Sequence, residues 1–194
     1  MSWAIWITGL PGSGKSWLAR AAAEVLEAAG VRVKVLELDE IRKTLTPEPR
    51  YSEEERDLVY HALVTMARLL VEQGIPVIID ATAHRRRWRD HARAVIPRFA
   101  EVHVTCPLHL CQERERRRRG GRAPAGIYAR AGRPGATVPG VDVAYEPPIA
   151  PEVTVDTSGD RHSANVAAVV ALARALGAGA ARPEPAVGSA EALR

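Results

Sequence analysis

Gly9-Leu10-Pro11-Gly12-Ser13-Gly14-Lys15-Ser16 decides how the rest of the chain is read. Its glycines allow a tight loop whose backbone N–H groups turn inward, as a string of phosphates requires. Lys15 is spaced to reach the β- and γ-phosphates of ATP, and the Ser16 hydroxyl to hold Mg²⁺. The flanks supply the context such a loop needs. Trp3-Ala4-Ile5-Trp6-Ile7 is an apolar run, read as a buried strand, and 17–29 carries Ala and Leu at helical spacing until Gly30. A helix beginning near Gly14 adds its positive end to the same anion site. All eight residues of the loop are therefore candidates for ATP binding.

Beyond the loop, strand and helix patterns alternate. Residues 31–36 alternate and run on through Glu37-Leu38-Asp39 as a second strand, with a short helix over 40–45 broken by Pro47 and Pro49. Ser52, with Glu55 three positions on, marks the start of a helix that Gly74 closes. Val77-Ile78-Ile79 is a fully apolar strand ending in Asp80. A helix over 86–96, a strand over 102–106, a basic helix over 108–119, a strand over 153–156 and a helix over 163–176 follow. This order predicts an α/β fold, the P-loop NTPase three-layer sandwich with a mostly parallel five-stranded sheet. Residues 120–150 are Gly- and Pro-rich with little periodicity, which predicts an Arg-rich lid over about 114–148. The P-loop domain is expected over 1–177, with an Ala/Pro/Gly-rich disordered tail over 178–194.

Two carboxylates stand at strand ends, where ligands of such sheets bind. By a period of two, Glu37 and Asp39 are expected on one strand face. Asp39 is placed to take or orient the proton of an acceptor hydroxyl, and Arg42 to hold an anionic acceptor. Asp80 suits support of Mg²⁺ through a water, with helix capping as the alternative.

Composition narrows the classes. The chain has 194 residues, 46% hydrophobic and 26% charged, which suits one globular domain. Its 24 Arg against 3 Lys concentrate in 85–89 and 114–122. Clustered guanidiniums suit phosphate or sulfate, or else solvated helix faces. A net charge of +4 is too small to imply nucleic-acid binding by itself. No apolar run approaches the ~18 residues of a membrane span. No secretory signal is read at the N-terminus, and Cys106 and Cys111 make no disulfide framework, so a cytoplasmic protein is expected. His103, Cys106, His109 and Cys111 fit no ordinary zinc spacing.

These residues together resemble the adenylylsulfate (APS) kinases, over about 3–157. Gly9 to Ser16 is similar to the family's GLSGSGKS, and Asp39 and Arg42 fall on the second Asp and the Arg of VLDGDNVR. Pro107-Leu108 to Cys111, with Arg114, looks like TPLEVCEAR. Gly126-Ile127-Tyr128 resembles GLY, and Gly140-Val141-Asp142 with Tyr145-Glu146-Pro147-Pro148 resembles GIDDPYEPP. The resemblance implies MgATP-dependent phosphorylation of the 3′-hydroxyl of APS. It implies Asp39 as base with Lys15 in support, Arg42, Arg56 and Tyr51 as acceptor contacts, and Arg114 as the lid arginine near the transferring group. The chain departs from the family at Glu37-Leu38, Val59, His61 and Val138, and at Ala83-His84, which replaces an Ile-Ser that touches the phosphosulfate. Ile79-Asp80-Ala81-Thr82 and the arginines after it also look like polynucleotide-kinase-like enzymes. A kinase of a nucleic-acid 5′-hydroxyl or another small alcohol is thus the alternative, and a regulator without transferase activity the third reading. A homodimer stays open.

Overall fold

A computed structural model describes residues 2–118, 124 and 126–179. In chain order the elements are β1 (Ala4–Thr8), α1 (Lys15–Ala28), β2 (Lys34–Glu37), α2 (Leu38–Leu45), α3 (Glu53–Glu72) and β3 (Val77–Asp80). Then come α4 (Arg86–Val95), β4 (Phe99–Thr105), α5 (Leu108–Arg117), a 3-10 turn (Tyr128–Arg130), β5 (Val153–Asp156) and α6 (His162–Ala178). The sheet runs β2-β3-β1-β4-β5, and every pairing in it is parallel.

β1 is buried along its whole length, as a central parallel strand covered on both faces must be. Its alternate residues feed two cores. Ile5 and Ile7 pack with Leu18 and Leu26 of α1 and with Val169 and Leu172 of α6. Trp6 faces the other way, among Tyr60 and Leu63 of α3, Trp88 of α4 and Phe99. The Trp6 indole N–H is satisfied by the Ala81 carbonyl at 2.9 Å. Register then places the chemistry: Ile7 lies beside Asp80 and Glu37 beside Asp80, so three strands end together under the phosphate loop.

Several boundaries differ from the sequence expectation. The second strand stops at Glu37, and Asp39 lies in the first turn of α2. Glu37 and Asp39 therefore do not share a strand face. Asp39 and Glu40 lie in that first turn, where the helix dipole favours acids, and the buried Leu38 anchors it. β4 begins at Phe99, because pairing with Ala4 extends it backwards. α5 ends at Arg117, and α6 runs two residues past Leu176. Of the expected tail, Ala178 belongs to α6, and residues 180–194 lie outside the described residues, as does Arg119. No helix among the described residues is long and apolar enough to cross a membrane.

Candidate active site

A cavity of about 370 Å³ opens beside the phosphate loop. The loop's shape follows from its glycines. Gly9 and Gly12 sit at φ +154° and +77°, a region L side chains rarely adopt. A Cβ on Gly12 would also run into the Cys111 carbonyl of α5. The Ser13 N–H returns to the Leu10 carbonyl at 3.1 Å, and Lys15 Nζ bonds that same carbonyl at 2.9 Å. Tyr128 of the 3-10 turn donates its hydroxyl to the Pro11 carbonyl at 2.8 Å, tying the far segment to the loop. Pro11, Gly12, Lys15 and Ser16 line the cavity, whereas Gly9, Leu10, Ser13 and Gly14 shape the loop behind it.

Asp39 and Asp80 line the same cavity, Asp39 half-buried and Asp80 buried. Burial raises both carboxyls above their ordinary range, and Lys15 opposes this shift. Burial likewise lowers Lys15, which the two carboxylates oppose. Ser16 lies close enough to Asp80 for its side chain to oppose the upward shift of that carboxyl. Ser16 and Asp80 thus present hard oxygen donors side by side, which fits Mg²⁺, a cation held by few protein oxygens plus substrate phosphates.

Arginines and aromatics complete the wall. Tyr51 lines the cavity at φ +57°, with the guanidiniums of Arg42, Arg130 and Arg56 at 5.2, 5.7 and 5.8 Å from its ring centre. Arg42 is already ion-paired to Glu55 at 2.9 Å. Arg56 is buried, and burial lowers its pKa. Its guanidinium donates to the Tyr51 carbonyl (3.0 Å), to His84 Nδ1 (3.0 Å) and to the Thr137 carbonyl and hydroxyl (2.9 and 2.7 Å). All of these acceptors are neutral, and no ion pair joins Arg56 to a described carboxylate.

Arg114 is not brought into the cavity. Its guanidinium donates to the Thr157 carbonyl at 2.6 Å, and the Thr157 hydroxyl donates to Ser13 O at 2.7 Å. It braces the end of β5 against the phosphate loop. Arg118 lines the cavity instead, near enough for its charge to lower both Lys15 and Asp39. The sequence hides this substitution, because Arg114 and 116–119 form one basic run and helical spacing does not say where α5 stops. Arg130 and Arg133 also line the cavity and were missed, since their Gly/Pro-rich segment has no period to read.

The 85–89 block lies elsewhere. Arg85 and Arg87 meet Glu146, Glu53 and Asp57, Arg89 is wholly buried against Glu101, and Trp88 is core. Val59 and Ala83 are also buried, whereas Val138 reaches the cavity wall.

The sequence profile of a family described as Adenylylsulphate kinase matches residues 1–156. The chain belongs to the adenylylsulphate kinase family. It is accordingly an ATP-dependent kinase that phosphorylates a hydroxyl group. A probable adenylyl-sulfate kinase of Archaeoglobus fulgidus is 42% identical over 160 residues, covering 81% of this chain and 97% of that one. A second, from Pyrococcus abyssi, is 38% identical and covers 89% and 95%. Among solved structures, a Mycobacterium tuberculosis APS kinase in complex with AMPPNP and APS superposes with a TM-score of 0.76. It is 29% identical, and the match covers 88% of this chain and 96% of that one. The family's three-layer parallel architecture is the one found here.

Proposed function

We propose that the cavity transfers the γ-phosphoryl group of MgATP to the 3′-hydroxyl of APS, giving ADP and 3′-phospho-APS. One observation carries this reading: a single cavity joins Lys15, Ser16 and Asp80 to Asp39 and to Arg56, a buried cation bonded only to neutral groups. A nucleotide on the phosphate loop and an anionic acceptor on the arginines would meet at Asp39.

Asp39 takes the proton of the acceptor hydroxyl as its oxygen bonds to the γ-phosphorus. The bond from that phosphorus to the bridging oxygen of ADP breaks. Burial of Asp39 raises its proton affinity, which suits a base working near neutral pH. Lys15 and Arg118 lie where charge develops on the transferring group and on ADP. Ser16 and Asp80 would hold Mg²⁺, which supplies charge neutralisation at the phosphates when bound. Arg42, Arg56 and Tyr51 receive the acceptor, with Arg56 the free charge among them. The two free cysteines suit a reducing compartment, so we place the enzyme in the cytoplasm.

The test is to incubate the protein with ATP and APS and separate nucleotides by ion-exchange chromatography. ADP and 3′-phospho-APS should appear in equal amounts, and ATP binding without that product would overturn the assignment. Asp39→Asn should cut kcat by about a thousandfold while sparing ATP affinity. Activity requires the carboxylate, so the rate rises with pH through the Asp39 pKa. The raised value moves that acid limb above the ordinary carboxylate range. A limb that survives in Asp39→Asn would remove Asp39 from the mechanism.

A further inference from the structure

We propose that His84 is a positioning residue for the acceptor: its Nδ1 fixes the Arg56 guanidinium in the orientation that receives the anion. The inference rests on the phosphotransferase reading above and names what holds its acceptor site.

Donor accounting assigns the tautomer. Arginine has five N–H donors and no acceptor, so His84 Nδ1 must accept from Arg56 Nη1 at 3.0 Å. The proton of neutral His84 then sits on Nε2. That atom is buried with no hydrogen-bond partner, and its nearest carboxylate oxygen is Glu53 Oε1 at 3.8 Å. Burial, together with the guanidiniums of Arg56, Arg85 and Arg87, holds His84 down at about 4 against the pull of Glu146. The ring is therefore neutral at working pH, and its Nδ1 lone pair is available.

The ring is itself held rigidly. Ala83 stands at φ +42°, its N–H bonded to the Tyr60 hydroxyl at 2.9 Å and its carbonyl bonded by Arg89. The His84 carbonyl accepts from the Glu146 N–H at 2.8 Å, and the imidazole meets the Trp88 ring edge to face at 5.1 Å between ring centres. A side chain locked in this way can transmit its geometry to Arg56. On the other side Thr137 takes two Arg56 donors, so the guanidinium is clamped between two neutral residues. Its charge stays unspent, which a carboxylate partner would prevent.

The experiment compares His84→Ala, His84→Asn and His84→Gln by steady-state kinetics with ATP and APS varied separately. Alanine should raise KM for APS about tenfold, with kcat and KM for ATP within about twofold, since a bond to a charged group is lost. Asparagine, whose carbonyl reaches the Nδ1 position, should restore KM to within about threefold, whereas glutamine, whose carbonyl reaches further, should not. Equal behaviour of the alanine and asparagine variants, or kcat and both KM values moving together, would overturn the proposal. Long-range ¹H–¹⁵N spectra of the wild-type imidazole give a second readout without turnover. They should show Nδ1 unprotonated and Nε2 protonated near neutral pH, and the opposite tautomer would overturn the proposal as well. Absence of APS turnover in the wild type would count against the function above, and the spectrum would still decide the role of His84.

Discussion

Two sets of arginines, alike in sequence, are handled in opposite ways. On α4, Arg89 and Arg93 share Glu101, and Arg93 also pairs with Glu152. Arg87, beside them, spans Glu53 and Asp57. Around the cavity, Arg56 is as deeply buried as an α4 residue but bonds only neutral atoms. The first set is neutralised inside the protein and serves the fold. Arg56 keeps its positive charge where an anion can reach it. Burial alone does not mark an arginine as structural; what marks it is whether its countercharge is built in.

Removing Arg89 should therefore have the largest effect on stability. Its Nε donates to Glu101 at 2.8 Å and its two Nη groups hold the carbonyls of Ala83 and Glu146. Arg89→Ala deletes a wholly buried guanidinium, leaves the Ala83 and Glu146 carbonyls without their donor and leaves Glu101 with Arg93 alone, and should cost about 3–5 kcal/mol in urea unfolding. Arg56→Met sharpens the contrast. It removes a desolvated cation that has no carboxylate partner among the described residues, but leaves the Tyr51 carbonyl, His84 Nδ1 and Thr137 without their donor. Stability should fall by about 1–3 kcal/mol, less than in Arg89→Ala, while kcat/KM for APS falls about a hundredfold. If Arg56→Met unfolds the protein as readily as Arg89→Ala does, the division between the two sets fails.

How far the sequence revealed this division depended on periodicity. The phosphate loop was legible residue by residue, because its spacing is set by phosphate geometry and its flanks are a plain strand and helix. The strand-helix order was legible for the same reason, down to the Ser52 cap, whose hydroxyl accepts from the Glu55 N–H at 3.2 Å. Asp39 was expected at a strand end and lies instead in the first turn of α2 on the cavity wall, since a strand end and a helix start look alike in Glu37-Leu38-Asp39. The partners of the arginines were not legible. Glu101 and Arg89 lie on different elements, and Glu146 lies in a segment without a period, so only the fold brings them together. The 85–89 block, which favoured a nucleic-acid acceptor on sequence, loses most of that support, since the charges of Arg85, Arg87 and Arg89 are met internally.

A smaller effect separates Arg118 from Arg114. Arg118 lines the cavity, so Arg118→Ala should lower kcat about tenfold by removing charge near the transferring group, with little change in melting temperature. Arg114 bonds Thr157, which in turn bonds the loop at Ser13. Arg114→Ala should lower the melting temperature by a few degrees, about 1 kcal/mol, and reduce kcat less than Arg118→Ala does. The reverse ranking of kcat values would return the lid role to Arg114.

The smallest effect belongs to Arg87, and it probes the comparison from the exposed side. Its side chain is 55% exposed while reaching Asp57 at 2.7 Å and Glu53 at 3.2 Å. Solvent and salt screen such pairs, so Arg87→Ala should change stability by no more than about 0.5 kcal/mol, and less at high salt than at low salt. Asp57 retains the Trp88 indole N–H at 2.7 Å, so the carboxylate is not orphaned when Arg87 goes. Kinetics with APS should be unchanged, because Arg87 does not line the cavity. A salt-sensitive loss of APS affinity in this variant would mean that the α4 arginines act on the acceptor through long-range charge. Local neutralisation would then be too weak a criterion for sorting the arginines of this fold.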